Sequence, residues 1–246
     1  MKSTVYSAQK GQYAYGQGIG ILTLEDFTPY IPGDVGNAST FQFPVVYQQL
    51  KGVTVASATN MAPESFDILL EAANTLVAQG VKAITSNCGY LGFFQTQLAA
   101  QLPVPVCLSS LLQLPFIKAS MGADRKIAVA CARGKNFGPS LLQGVGLSDD
   151  YALTVLGMDE YPHFYDGIMC NSGKLDATAI EDELVEVVRT AVAKDPTIGA
   201  ILLECACLPP YAKAIQDVVH LPVYDFTTMI NYMFSAMMRH QFTGFM

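Results

Sequence analysis

Apolar positions along this chain fall into two patterns, and the two alternate. Short continuous runs occur at Gly18 to Leu24, Ala83 to Thr85, Ile127 to Ala132 and Ala200 to Leu203. Runs of this length, bounded by turn residues, predict strands buried on both faces. Helical spacing separates them. Ile68, Leu69, Ala72, Leu76 and Val77 predict a helix over 66–79, closed by Gly80. Ile180, Leu184, Val187, Val188 and Val192 predict another over 179–194, broken by Asp195-Pro196. Further helical stretches follow Cys88 and Cys205 and lead into Pro105-Val106 and Pro222-Val223, where short strands are expected. A last helix is predicted over 227–239.

Strands alternating with helices at this spacing mean βαβ units and parallel sheets with right-handed crossovers. The pattern also repeats. Cys88 and Cys205 lie 117 positions apart, and the pairs Ala83/Ala200, Ile84/Ile201, Pro105/Pro222 and Val106/Val223 keep that offset. The expected fold is therefore α/β, with two pseudo-symmetric lobes and a site in the cleft between them. The first lobe takes residues 1–118 plus 226–246, and the second takes 119–225. Residues 25–60 and 133–178 read as loops and short elements around the cleft.

Composition narrows the function. The 246 residues are 51% hydrophobic and 14% charged, ample for a core. A net charge of −7 excludes nucleic-acid and anionic-membrane surfaces, which need clustered Lys and Arg. Met1 to Ser7 lacks the apolar run of a leader, and no segment approaches the roughly 18 apolar residues of a membrane span. A cytoplasmic protein with reduced cysteines is expected. The tail rich in Met and Phe, from Met229 to Met246, points to a dimer or larger assembly, although an amphipathic core helix would show the same residues.

Cys88 and Cys205 carry the chemistry. Each ends a buried strand, the edge at which open α/β sheets bind ligands. A helix N-terminus there favours a thiolate and a bound carboxylate. Thr85, Ser86, Asn87 and Gly89 are the substrate-binding candidates beside Cys88, and Ala206 beside Cys205. Asn37, Ser109 and Ser110 rank second, since turn and cap roles suit them equally. Two thiols facing each other across a cleft can invert a stereocentre next to a carboxylate, one as base and one as acid. Cys205-x-Cys207 lacks the second ligand pair of a zinc site, so no metal is expected. Gly16-x-Gly18-x-Gly20 precedes its strand and lacks the dinucleotide spacing. Cys107 and Cys131 read as core residues.

The segments Thr85-Ser86-Asn87-Cys88-Gly89-Tyr90 and Leu203-Glu204-Cys205-Ala206-Cys207-Leu208-Pro209-Pro210-Tyr211 resemble the paired cysteine motifs of the aspartate/glutamate racemase superfamily. The resemblance covers most of the chain. It implies two α/β lobes, no cofactor, and Cys88 and Cys205 as an acid/base pair. Glutamate racemases carry Thr-His after the second cysteine, where this chain has Ala206-Cys207. The leading expectation is a cofactor-independent racemase or epimerase of a small carboxylate, such as aspartate, glutamate or a hydantoin. Two others stand beside it: a maleate-type isomerase or malonate-type decarboxylase, and a carboxylate-binding protein without catalysis.

Overall fold

The predicted apolar runs form the inner strands of two parallel sheets. In the computed structural model, which describes residues 5–8, 12–148 and 150–246, each sheet has four strands. Met1 to Thr4, part of the stretch searched for a leader and of the first lobe, lie outside the described residues. The first sheet comprises β1 (Ile19–Thr23), β2 (Val45–Gln49), β3 (Ala83–Ser86) and β4 (Val106–Cys107), in the order β2-β1-β3-β4. The second comprises β5 (Lys126–Cys131), β6 (Leu153–Gly157), β7 (Ile198–Leu203) and β8 (Val223–Tyr224), in the order β6-β5-β7-β8. The two orders are the same, and every pairing is parallel. Two parallel α/β lobes are thus what the structure contains.

Helices fill the crossovers. In the first half these are α1 (Val55–Thr59), α2 (Ser65–Ala78), α3 (Gln95–Ala99) and α4 (Leu114–Ala119). In the second they are α5 (Pro139–Gly144), α6 (Pro162–Phe164), α7 (Ala177–Lys194) and α8 (Ala212–Val219). The chain then adds α9 (Phe226–Met237), started by a capping box between Asp225 and Thr228.

Strand alternation sends β1 residues to two cores. Leu22 joins Leu69, Ala73 and Leu76 of α2, while Ile19 and Ile21 join Phe226, Met229, Ile230 and Met233 of α9. The final helix therefore covers the second face of the first sheet. The second lobe has one continuous core around β5, β7 and α7. Tyr90, from the first lobe, is inserted into that core, and the Ser110 hydroxyl donates to Leu203 O at 2.9 Å across the lobes.

Two strands were not foreseen. β2 lies in the 25–60 stretch and β6 in 133–178, both expected as loops. Both are edge strands whose residues are mostly half-buried, so they show neither a continuous apolar run nor a clean alternation.

Candidate active site

Cys88 and Cys205 occupy matching corners. After β3, the Asn87 N–H donates to Leu22 O at 2.9 Å, and after β7 the Glu204 N–H donates to Ala130 O at 2.8 Å. Each cysteine carbonyl then accepts from the amide three residues on, Leu91 and Leu208, at 3.1 Å in both cases. The corners face a cavity whose lining includes Asp26, Asn87, Cys88, Glu204, Cys205 and Cys207. Its volume is about 30 Å³, space for about two waters. Among the described residues, the lining contains no Lys, Arg or His.

The two halves differ at the residue before each cysteine. Asn87 is fully satisfied: its Oδ1 accepts from the Leu24 N–H at 3.0 Å and its Nδ2 donates to the Tyr30 hydroxyl at 2.7 Å. Glu204 is 0% exposed, and neither carboxyl oxygen has a hydrogen-bond partner of normal geometry. The Ala132 N–H gives it weak backbone help, but burial dominates and pushes the carboxyl up to about 8. The same carboxyl lies against Gly89, where a Cβ would collide with Glu204 Oε1, so only glycine fits.

This carboxyl acts on its neighbours. Burial, then the charge of Glu204, then that of Cys205 push the Cys88 thiol up, outweighing the Tyr90 and Leu91 amides that face its sulfur. Cys131, at the end of β5, is raised by burial and by Glu204 in the same way. On the other side of the cavity, Cys205 and Cys207 are hydrogen-bonded, and Cys207 also bonds the Asp34 carboxyl. The bond to Cys205, burial and the charge of Asp34 all push the Cys207 thiol up. Burial raises Asp34 to about 7, despite the Gly36 N–H it accepts at 2.7 Å. Asp26 is raised by burial, partly offset by the Tyr30 hydroxyl at 2.6 Å from each carboxylate oxygen.

Loops from both lobes roof the cavity. Leu24, Asp26 and Thr28 line it from one side, and Ile168 and Met169 from the other. Ile168 and Met169 belong to a π-helical turn, Tyr165–Met169, a form often found at functional sites. The Phe27 N–H donates to the Asn171 side-chain oxygen, and the Phe27 ring lies where a Gly173 Cβ would be. These contacts latch one loop to the other.

Of the residues singled out in the sequence, Asn87, Cys88, Gly89 and Cys205 line the cavity. The others serve the walls. Thr85 Oγ1 donates to Cys107 O, and Ser86 Oγ donates to Leu108 O. Ser109 caps the turn Ser110–Gln113, and Ser110 ties the lobes together. Asn37 caps a 3-10 turn and donates to Tyr30 O, while Ala206 is buried with its carbonyl facing the Val35 N–H. Tyr90 and Cys207 stood inside the quoted cysteine motifs without an assigned role, Glu204 carried no signal beyond its place next to Cys205, and Asp26 was not singled out.

No protein-family model matches the chain. Among solved structures, allantoin racemase from Pseudomonas fluorescens aligns with a TM-score of 0.60 at 16% identity, covering 89% of each chain. Unliganded arylmalonate decarboxylase aligns with a TM-score of 0.55 at 14% identity, covering 90% of this chain and 92% of its own. Likeness at these identities shows a shared racemase-like fold and nothing finer. Curated relatives are nearer in sequence. A dimethylsulfoniopropionate lyase of Durusdinium sp. clade D is 32% identical over 214 residues, covering 84% of this chain and 70% of its own length. Dimethylsulfoniopropionate lyase 3 of Emiliania huxleyi (strain CCMP1516) is 30% identical over 230 residues, covering 89% of this chain and 60% of its own. These findings correct the expected activity. An amino-acid racemase or other isomerase was read from motifs that belong to the fold, whereas the relatives of appreciable identity are lyases. The chain belongs to the dimethylsulfoniopropionate lyase family.

Proposed function

We propose that the protein splits dimethylsulfoniopropionate into dimethyl sulfide and acrylate. The substrate is a zwitterion, with a carboxylate at one end and a sulfonium cation at the other. Removing a proton from the carbon next to the carboxylate supplies the electron pair of the new double bond. The neighbouring carbon–sulfur bond breaks, and its pair leaves on sulfur. Dimethyl sulfide departs neutral and needs no acid, so one base suffices where inversion needs a base and an acid.

Cavity charge is the observation that carries this reading. The lining holds carboxyls from Asp26 and Glu204 and, among the described residues, no basic side chain, which favours a ligand bearing a cation over a dianion. Cys205, which lines the cavity beside Cys207 and Glu204, is assigned as the base. Cys88 stays a thiol and donates to the substrate carboxylate, where charge grows as the proton leaves.

Purified protein given dimethylsulfoniopropionate is expected to release dimethyl sulfide, measured in the headspace by gas chromatography, with acrylate appearing in proton NMR. Cys205→Ser should lower the rate by at least about 100-fold. Absence of both products above the enzyme-free control would sink the proposal.

A further inference from the structure

Glu204 is a fully buried carboxyl with no hydrogen bond of normal geometry, helped weakly by the Ala132 N–H and lining the cavity beside both thiols. Its counterpart in the other half, Asn87, has the same backbone bond and every side-chain atom satisfied. A brace would be built like Asn87. An unpartnered buried carboxyl costs stability and persists where it is used.

Resting on the lyase reading above, we infer that Glu204 is the proton store of the site: it takes the substrate's proton from the Cys205 thiol and gives it to water when the cavity opens. The groups facing it are Cys88 and Tyr90 from the turn after β3, Cys131 at the end of β5, and Cys205 beside it. None carries a positive charge, so an ionised Glu204 has no counter-charge until the sulfonium arrives.

The charges then balance through the cycle. While the sulfonium is bound, its positive charge compensates the Glu204 carboxylate. The α-carbon–hydrogen bond breaks, the proton goes to the Cys205 thiolate, and the carbon–sulfur pair leaves with dimethyl sulfide. Dimethyl sulfide leaves uncharged, and the site is left with one proton between Cys205 and Glu204. The Cys205 S–H proton passes to the Glu204 carboxylate, which keeps the net charge of the site unchanged and gives back the thiolate for the next turnover. At about 30 Å³ the cavity is too small for the substrate, so it widens to admit substrate and release product in each turnover. Water then reaches Glu204, its carboxyl returns toward the ordinary range of 4.5, and the proton leaves as hydronium. Glu204 works through the thiol, so it is a positioning residue for proton flow.

The test compares parent and Glu204→Gln by rapid quench and steady state. At saturating substrate the variant should make its first equivalent of dimethyl sulfide in a burst, and later turnovers should be about 100-fold slower than that burst. KM should rise, because the sulfonium loses the Glu204 counter-charge. A merely structural role would slow the first turnover equally, and that result overturns the inference. So does a variant with parental steady-state kcat. A parent that releases no dimethyl sulfide overturns the lyase reading and this inference with it. Infrared titration of the parent supplies an independent arm, with a protonated-carboxyl band that disappears around pH 8 and is missing from the variant. If Glu204→Gln does not fold, the same titration on Asp34→Asn, which removes the other strongly raised carboxyl, isolates the Glu204 band. Its absence at neutral pH overturns the inference.

Discussion

Glu204 also sets how stability depends on pH. Its carboxyl titrates at the ordinary 4.5 in the unfolded chain and at about 8 in the folded one. Between those values the native state holds a proton that the unfolded state has lost. Stability conferred below pH 4.5 is therefore given up as pH rises toward 8, a loss on the order of 5 kcal/mol for the single group. Asp34 acts in the same direction between 3.8 and about 7. Melting temperature should fall as pH is raised from about 5 to 8, and Glu204→Gln should fall less steeply and melt higher at pH 8. Parallel melting curves for parent and variant would show that burial does not hold the Glu204 proton. Little of this was legible beforehand. Glu204 precedes a cysteine at the end of an apolar run, which reads equally as a solvated strand end. Its burial comes from packing against residues distant in sequence, Gly89 and Ala132 among them.

At the scale of elements, the inner strands were legible and the roof was not. β1, β3, β5 and β7 are almost wholly buried, so burial wrote continuous apolar runs into the sequence. The helices behind the cysteines were legible from spacing, within one or two residues at most ends. The roof depends on contacts between residues about 27 and 171, which no local pattern encodes. Cys207 shows the same limit. It stands where glutamate racemases have a histidine, and its partnership with Asp34 comes from a loop far away in sequence. Latching predicts a measurable effect. Asn171→Ala removes the acceptor of the Phe27 N–H. Amides of residues 165–171 should then exchange with deuterium faster, by roughly tenfold, while those of β5 and β7 are unchanged. Unaltered exchange in 165–171 would mean that the loops close without the latch.

Across the whole molecule, two like halves meet at one cavity. Their cores interlock through Tyr90 and Ser110, so access falls to the roof loops rather than to separation of the lobes. The repeat was visible in the sequence as an offset, and it led to a symmetric reaction because equal thiols suggested equal roles. What separates the halves is small: an amide in one and a carboxyl in the other, and a second thiol behind Cys205 with none in the matching place behind Cys88. The α-carbon of dimethylsulfoniopropionate, the proposed substrate, bears two hydrogens that are mirror-related and chemically identical in water. A base on one wall can reach only one of them. Acrylate made from substrate carrying deuterium at a single one of those positions should keep all of the label for one configuration and lose all of it for the other, read by mass spectrometry. Equal loss from both would return the two walls to equivalence. A cavity built by doubling would thus have become a reader of handedness in a molecule that has none.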